Sequence, residues 1–553
     1  MKFSKLAKLY KQLEETSSHN KMQELLADFL KKTPAKLLDK VAYLTLGQID
    51  SAYSDTVIGM AENMVMQSIA KASTQDLFKV KKTYQKTGDL GNTAEKCAKG
   101  RGVLVTELFE TLHEIAAYSG KGSQDKKISS LARLLRKTSP LESRYLVRIV
   151  LGQLRLGAGD KTLLHALARA YASEKEATVL EHTYNSIPDV GAIAQTLARK
   201  GLRGVASMDI ALGVPLQSML CQRIDNLATI KKKMDFPVIV EEKYDGERVQ
   251  VHKKGKDVQL FSRRLDNITY QFPDLVKAVK KAVLARECIL DAEIMPVDKK
   301  GGYKSFQTLM QRRRKHDIEE YIKNVPVALF IFDVLYYKKS LLKESYEKRY
   351  KILEKIVKPT RNVKLTLRKE CNDLACIGAL FNNVVEKGGE GVIIKDRNGP
   401  YKAGVRGWHW IKWKPEYAKG MRDTFDVVVI GAYHGRGKRA GTYGALLCAV
   451  YNEDDDTFET FCKVGSGFSD KQLEQLPGKF RKRKNKPPRA VVTKQMEPDV
   501  WFTINTVIEV AGAHITTSPS HTSGLALRFP RFLSWREKKP TQATTKKEIE
   551  AMR

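Results

Sequence analysis

EEKYDGERVQVH, residues 241–252, lies between two runs of strand character, VIVEE before it and VQVH at its end. Lys243 followed by Tyr-Asp-Gly offers a primary amine on a tight turn between two strands. Taken alone, K-x-D-G also describes an ordinary hairpin turn with a solvated lysine, because Asp-Gly favours turns whatever the function. The segments downstream decide between the readings. SRR (262–264) presents Arg263, LDAEIM (290–295) sets Glu293 in an apolar strand, and FIFDVLY (330–336) puts Phe332 beside Asp333. EGVIIK (390–395) supplies Glu390 and Lys395. WIKWKP (410–415) carries Lys412 and Lys414, two residues apart and so on one face of a strand.

Each segment has a structural reading of its own: Glu293 paired in a core, Phe332 as packing, two lysines along a solvated edge. Together they meet the needs of nucleotidyl transfer. That reaction takes a nucleophile, cations around a triphosphate, hard oxygen ligands for a divalent metal, and a flat surface for a base. A lysine must shed its proton to attack, and neighbouring cations favour the neutral amine. Arg263, Lys412 and Lys414 supply such charge and offset what develops on phosphoryl oxygens. Glu293 and Glu390 suit Mg²⁺.

Outward from this centre the texture changes twice. Residues 1–212 carry helical periodicity: Phe3, Leu6, Leu9, Tyr10 and Leu13 share a face, as do Leu108, Leu112 and Ile115, and Ile128, Leu131, Leu134 and Leu135. Polar turns such as TGDLGN (87–92) and SGKGSQ (119–124) divide them, and the section reads as all-α. Residues 213–420 alternate β-branched runs with helical stretches and read as α/β or α+β. From 421 to 553, short strands such as FDVVVIGAY and TVIEVAG between Gly-rich turns predict a small β-barrel of the oligonucleotide-binding kind. KFRKRKNKPPR (479–489) reads as a solvated loop of that barrel, and no internal repeat is evident.

The 553 residues are too many for one ordinary core, and 42% hydrophobic with 29% charged is a globular balance. The 97 Lys and Arg against 63 Asp and Glu give a formal charge of +34, which points to a polyanionic partner. Charge alone leaves a nucleic-acid enzyme and a passive or ribosome-associated binder level. The seven cysteines form no CxxC pair, which speaks against a zinc ribbon or disulfide framework and for reduced thiols inside the cell. No apolar run reaches membrane-spanning length, and MKFSKLAKLYKQLEE is charged throughout, unlike a secretory leader.

The ordered set KYDGER, SRR, DAEI, FDVLY, EGVIIK and WIKWK resembles the covalent nucleotidyltransferases, and among them the ATP-dependent DNA ligases of archaea and eukaryotes. GSQDKK (122–127), LRLG (154–157), GRGKRAGTYG (435–444), KVGSGFSD (463–470) and LALRFPRF (525–532) carry the likeness through all three sections. The resemblance implies a helical DNA-binding domain, an α+β adenylation (nucleotidyltransferase) domain and an OB-fold domain. It implies ATP and Mg²⁺ as cofactors and nicked duplex DNA as substrate, in replication, repair and recombination. By the same likeness Lys243 is the adenylated residue, Glu241 meets the adenine amino group and Arg248 the ribose. Arg263 engages the nick 5′-phosphate as well as the nucleotide, Phe332 stacks on adenine, and Glu293 and Glu390 serve metal and ribose. Arg406, Lys412 and Lys414 meet phosphate oxygens, while Phe306 and Phe468 are implied as minor-groove wedges. Lys126, Lys127 and Arg155, in turns or at helix ends, are the candidate phosphate contacts of the helical section. Closure about a linker near residue 421 is implied between steps.

Some features depart from the family pattern. RFPR stands at Arg528 to Arg531, but the expected R-x-D-K after it reads REKKP (536–540), so Arg536 belongs to this terminal motif without its aspartate. PLQSML replaces the usual PxxPML, with Ser218 for the second proline. No clamp-binding peptide occupies EKCAKGRGVL (95–104), and QELLADFL (23–30) reads as an amphipathic helix, so a sliding-clamp partner is unsupported. A monomer is expected, because a ligase must itself encircle the duplex. An RNA ligase or capping guanylyltransferase shares the core motifs but generally lacks the long helical section and KVGSGFSD. An inert DNA-binding scaffold derived from a ligase would have no need of Lys243 and both carboxylates.

Overall fold

The computed structural model describes every residue except 225, 299–300, 314–321, 416–423, 436–440, 513–514 and 553. The expected hinge near 421, the 420/421 boundary and residues 436–440 of GRGKRAGTYG fall outside the described residues. The chain divides into two compact units, residues 1–83 with 90–419, and residues 84–89 with 420–553. The helical section, apart from residues 84–89, thus shares one unit with the α+β section.

The helical faces predicted from periodicity are buried. Phe3, Leu6, Leu9, Tyr10 and Leu13 of Phe3–Glu14 pack inward, as do Leu108, Leu112 and Ile115 of Val105–Ala117. Ser139 opens the helix Pro140–Val150 with a capping box closed by Glu142, which satisfies amide groups that a helix start leaves bare. In His19–Lys31 the QELLADFL stretch turns Leu26 and Leu30 into the core, as an amphipathic helix does. Among the described residues no helix is long and apolar enough to cross a membrane.

The structure also shows a local echo that the sequence reading passes over. Leu46-Gly47-Gln48 and Leu151-Gly152-Gln153 follow the helices Leu38–Thr45 and Pro140–Val150. Both glycines adopt positive φ, +71° and +63°, as helix-ending glycines commonly do. Gln48 N donates to Tyr43 O (2.9 Å) and Gln153 N to Arg148 O (2.7 Å), the same five-residue closure. The two turns and the loop at Arg155 line a groove of about 280 Å³.

The α+β section holds two sheets. Strands β1 (Leu220–Arg223), β2 (Val238–Glu242), β3 (Glu247–Lys254), β4 (Asp257–Ser262), β5 (Glu287–Pro296), β6 (Val327–Tyr337), β7 (Lys339–Ser340), β8 (Val363–Leu365), β9 (Arg368–Cys371), β10 (Val392–Asp396) and β11 (Arg406–Trp413) come in that order. The first sheet runs β1-β11-β10-β2-β9, the second β4-β3-β5-β6-β7 with β8 on β6. Asn185 O accepts from Gln217 N at 2.7 Å, and Gly404 is so close to Asn185 that a Cβ there would sit 2.5 Å from its side chain. The helical section and the loops that lead into the first sheet are therefore in contact at this point.

One expectation about the cysteines is corrected. Cys371 at the end of β9 and Cys376 in the helix Leu374–Glu386 form a disulfide, because helix and strand bring their Cα atoms to 5.6 Å. The other five are free, four of them buried.

In the second unit an eight-stranded sheet includes Thr424–His434, Tyr443–Asn452, Thr457–Val464, Val507–Ala511 and Arg531–Arg536. Thr424–His434 is buried on both faces: Val427 and Val429 pack with Leu446, Cys448 and Phe461, while Val428 and Ile430 pack with Leu447, Phe458 and Ala543. That accounts for the unbroken apolar run VVVI, since a strand covered on both sides needs no alternation. The unit is an OB-fold domain.

Candidate active site

Lys243 sits where the chain leaves the first sheet for the second. Its backbone N–H donates to Gly391 O at 2.9 Å, extending the β2–β10 ladder by one rung. The next three residues cross to β3, and two glycines make the crossing fit. At Gly246 a Cβ would lie 2.2 Å from Ile294 O; at Gly391, with φ +130°, it would lie 2.3 Å from Trp413 O. Close backbone approach thus accounts for the glycine of K-Y-D-G and for that of the EGVIIK segment.

The turn opens onto a cavity of about 280 Å³ between the sheets. Its lining includes Glu241, Lys243, Arg248, Arg263, Glu293, Phe332, Glu390, Arg406, Lys412 and Lys414. Every nucleotide-site residue expected from the sequence is brought to this one space. Lys243 Nζ rests on the Glu390 carboxylate and 3.3 Å from Tyr244 O, and Lys414 meets the other Glu390 oxygen. One carboxylate therefore bridges two ammonium groups. Burial drives the Glu293 carboxyl up to about 8, against the opposing pull of Lys243 and Arg248. A carboxylate held in so dry a place gains from an added cation.

Arg248 is anchored rather than free. It forms a fork on Asp291 (3.0 and 2.7 Å), donates to Met219 O (2.7 Å) and sits 5.4 Å from the Phe332 ring centroid. Phe332 has the Trp410 ring edge-on at 5.9 Å. Beneath it lies a group without an assigned role at the sequence level. Lys395 Nζ stands 4.9, 4.6 and 4.6 Å from the rings of Phe332, Tyr346 and Trp410, and 2.8 Å from both Glu241 oxygens. EGVIIK displays Lys395 in plain view, but only the β2–β10 register (Glu241 opposite Ile393) puts it against Glu241. Thr366 and Trp410 also line the cavity, and no linear signal marks Thr366.

Arg263 lines a second, wider groove of about 1050 Å³ as well, with Arg264, Asn267, Tyr270 and Phe306 on one side and Tyr53, Ser54 and Asp55 of the helical section on the other. Phe306, half-buried against the core of the second sheet, opens the short helix Phe306–Met310 at its rim. In the second unit Phe468 stacks on Phe532 at 4.4 Å. Lys126 and Arg155 are exposed, Arg155 with φ +51°. Lys127, expected beside them, is instead turned inward: it is 9% exposed and donates to Ile58 O at 2.7 Å. Of the terminal motif, Arg528 lies against the exposed Phe529 ring at 5.3 Å. Arg531 begins the strand Arg531–Arg536. Arg536 and Lys538 share Asp426 at 3.0 and 2.5 Å, so the carboxylate at this motif comes from Thr424–His434, on the far side of Val507–Ala511.

Among the described residues no three His, Cys, Asp or Glu side chains cluster as a self-sufficient metal cage. Mg²⁺ does not require one, since it is usually held by one or two carboxylates together with water and substrate phosphates. Glu293 and Glu390, both lining the cavity, fit that use.

A lysine amine, a carboxylate bridge, six further cations and an aromatic shelf, set between two sheets and followed by an OB domain, define a covalent nucleotidyltransferase. The comparisons narrow the class. Residues 218–414 match the ATP dependent DNA ligase domain, residues 2–168 the DNA ligase N terminus, and residues 439–539 the ATP dependent DNA ligase C terminal region. DNA ligase 2 of Thermofilum pendens is 44% identical over 99% of this chain and 96% of its own. DNA ligase 1 of Methanosarcina acetivorans is 42% identical over 99% of both. In fold, the solved structure described as Pmar-Lig_Pre. superposes over 96% of this chain and 99% of its own with a TM-score of 0.57, at 17% identity. The chain belongs to the ATP-dependent DNA ligase family. Members seal nicks in DNA through a lysyl-AMP intermediate, with ATP and Mg²⁺ as cofactors.

Proposed function

We propose that Lys243 is the residue adenylated by ATP, and that the groups around it divide the work of nick sealing as follows. The carrying observation is the Lys243 amine held on Glu390 in a cavity that also receives Arg263, Arg406, Lys412 and Lys414. Nζ, once neutral, attacks the α-phosphorus; the bond to the β-phosphate oxygen breaks and pyrophosphate leaves. Lys412, Lys414 and Arg406 hold the phosphate oxygens, and Phe332 stacks on the base. Arg248, stiffened by Asp291, orients the ribose, and Glu241 belongs to the wall that meets the adenine amino group. Glu293 and Glu390 would hold Mg²⁺, which would supply positive charge to the reacting phosphoryl oxygens.

The AMP then passes to the 5′-phosphate of the nick, for which Arg263 is suited because it reaches both cavities. The 3′-hydroxyl displaces AMP and closes the backbone. Phe306 and Phe468 press into the minor groove beside the nick, and Lys126 and Arg155 hold backbone phosphates. Residues 1–212, 213–420 and 421–553 act as DNA-binding, adenylation and OB-fold domains of a monomer working on intracellular DNA.

Protein incubated with Mg²⁺ and α-labelled ATP, with and without nicked duplex, tests this beside Lys243→Ala. A labelled band that nicked DNA discharges into sealed product, absent from the variant, supports the reading. Label in Lys243→Ala at the wild-type level would move the nucleophile elsewhere. Removing a nucleophile should cost roughly 10⁴- to 10⁶-fold in the first step.

A further inference from the structure

The Glu241 carboxylate has no acceptor capacity to spare. Lys395 Nζ donates to each oxygen at 2.8 Å, the Tyr346 hydroxyl donates to Oε1, and the Thr366 hydroxyl donates to Oε2 at 3.2 Å. A carboxylate offers about four lone-pair positions, and here all are met by protein donors. Glu241 is 3% exposed and Thr366 also 3%, yet both line the nucleotide cavity.

Thr366 is fixed from several directions. Its backbone N–H donates to Ile331 O at 3.0 Å, its carbonyl accepts from the Tyr350 hydroxyl at 3.2 Å, and its hydroxyl hydrogen is committed to Glu241. A hydroxyl whose hydrogen is taken presents only lone pairs to whatever enters the cavity. Adenine carries a donor, the 6-amino group, where guanine and hypoxanthine carry an acceptor oxygen. An acceptor-only hydroxyl rewards the first and sets oxygen against oxygen with the second.

Resting on the assignment of this cavity to ATP, we propose that Thr366 determines specificity for the 6-amino purine, with Glu241 as a positioning residue that locks the Thr366 hydroxyl as an acceptor. Lys395 and Tyr346 in turn hold Glu241 against reorientation. A buried acceptor left without its donor is costly, so a site of this design discriminates against the analogue lacking the group more sharply than an apolar pocket does.

The test is self-adenylation of the full chain with ATP and with purine riboside 5′-triphosphate, which lacks the 6-amino group and adds no competing oxygen. Wild type is expected to favour ATP in kcat/KM by about tenfold or more, mostly through KM, the scale of one buried hydrogen bond. In Thr366→Val the ratio should fall to about 1–3, the loss falling on KM for ATP; in Thr366→Ser it should return. A misfolded Thr366→Val would lose both nucleotides together, and Thr366→Ala then provides the same reading. No preference in wild type, or a preference unchanged in Thr366→Val, overturns the proposal and returns the amino group to Glu241. Failure of wild type to take label from either nucleotide would instead strike at the ATP assignment itself.

Discussion

The nucleotide cavity and the basic surface of the helical section use the same residue types to opposite ends. In the cavity the central charges are tied to one another. Lys243 and Lys414 share Glu390, Lys395 is held by Glu241, and Arg248 by Asp291. In the helical section Lys126 and Arg155 stand in solvent, and Lys127, one residue along, is buried against a backbone carbonyl. Group transfer needs partners fixed within a fraction of an ångström, and these paired side chains hold one another in place. A polyanion is held by summed charge, and the summed charge tolerates one lysine pointing inward.

The largest test of that contrast lies at Gly246. An added methyl would meet Ile294 O at 2.2 Å and push the turn carrying Lys243 away from Glu390 and Lys414. Gly246→Ala should slow self-adenylation by about 10²-fold, the scale of a displacement near 1 Å. Gly378→Ala is the control, since a Cβ in that helix meets nothing within 4 Å. Equal, near-wild-type rates in single-turnover labelling of the two variants would mean that the turn is softer than its packing indicates.

Lys127 divides the two regions from the other side. Lys127→Met leaves the buried Ile58 carbonyl without its donor, which should cost about 1–3 kcal/mol. The loss should appear as faster hydrogen exchange at residues 57–60, while the salt dependence of DNA binding stays as it was. A reduced salt slope with unchanged exchange would show Lys127 turning outward to the duplex, and the inward assignment would fall.

How much of this the sequence discloses follows the same division. The α+β core and its nucleotide residues are legible because the chemistry demands particular side chains in a fixed order, and because a glycine such as Gly246 has no substitute where two backbones meet. The helical faces are legible because burial imposes a period. Lys395 and Thr366 escape because their roles come from register and from hydrogen bonds across 154 and 125 residues. The Cys371–Cys376 bridge escapes because a spacing of five belongs to no common motif and closes only through a strand-to-helix corner. Lys127 is misread because helical phase at the start of Ser123–Lys137, where residues 123–126 face out and 127 and 128 face in, is finer than a basic-turn reading can resolve.

The smallest expected effect falls on Lys126. It is exposed, its Nζ 6.0 Å from the Tyr118 ring centroid, so its removal leaves no buried group unmet. If it holds one phosphate, Lys126→Met should lower the slope of log K against log salt by about 0.9 and leave exchange protection and self-adenylation at wild-type levels. The same substitution at residue 127 should do the reverse, so the pair separates a charge the duplex feels from one the fold consumes. Identical salt slopes for Lys126→Met and wild type would confine the DNA-binding charge to other residues of the helical section, with Arg155 the next to change.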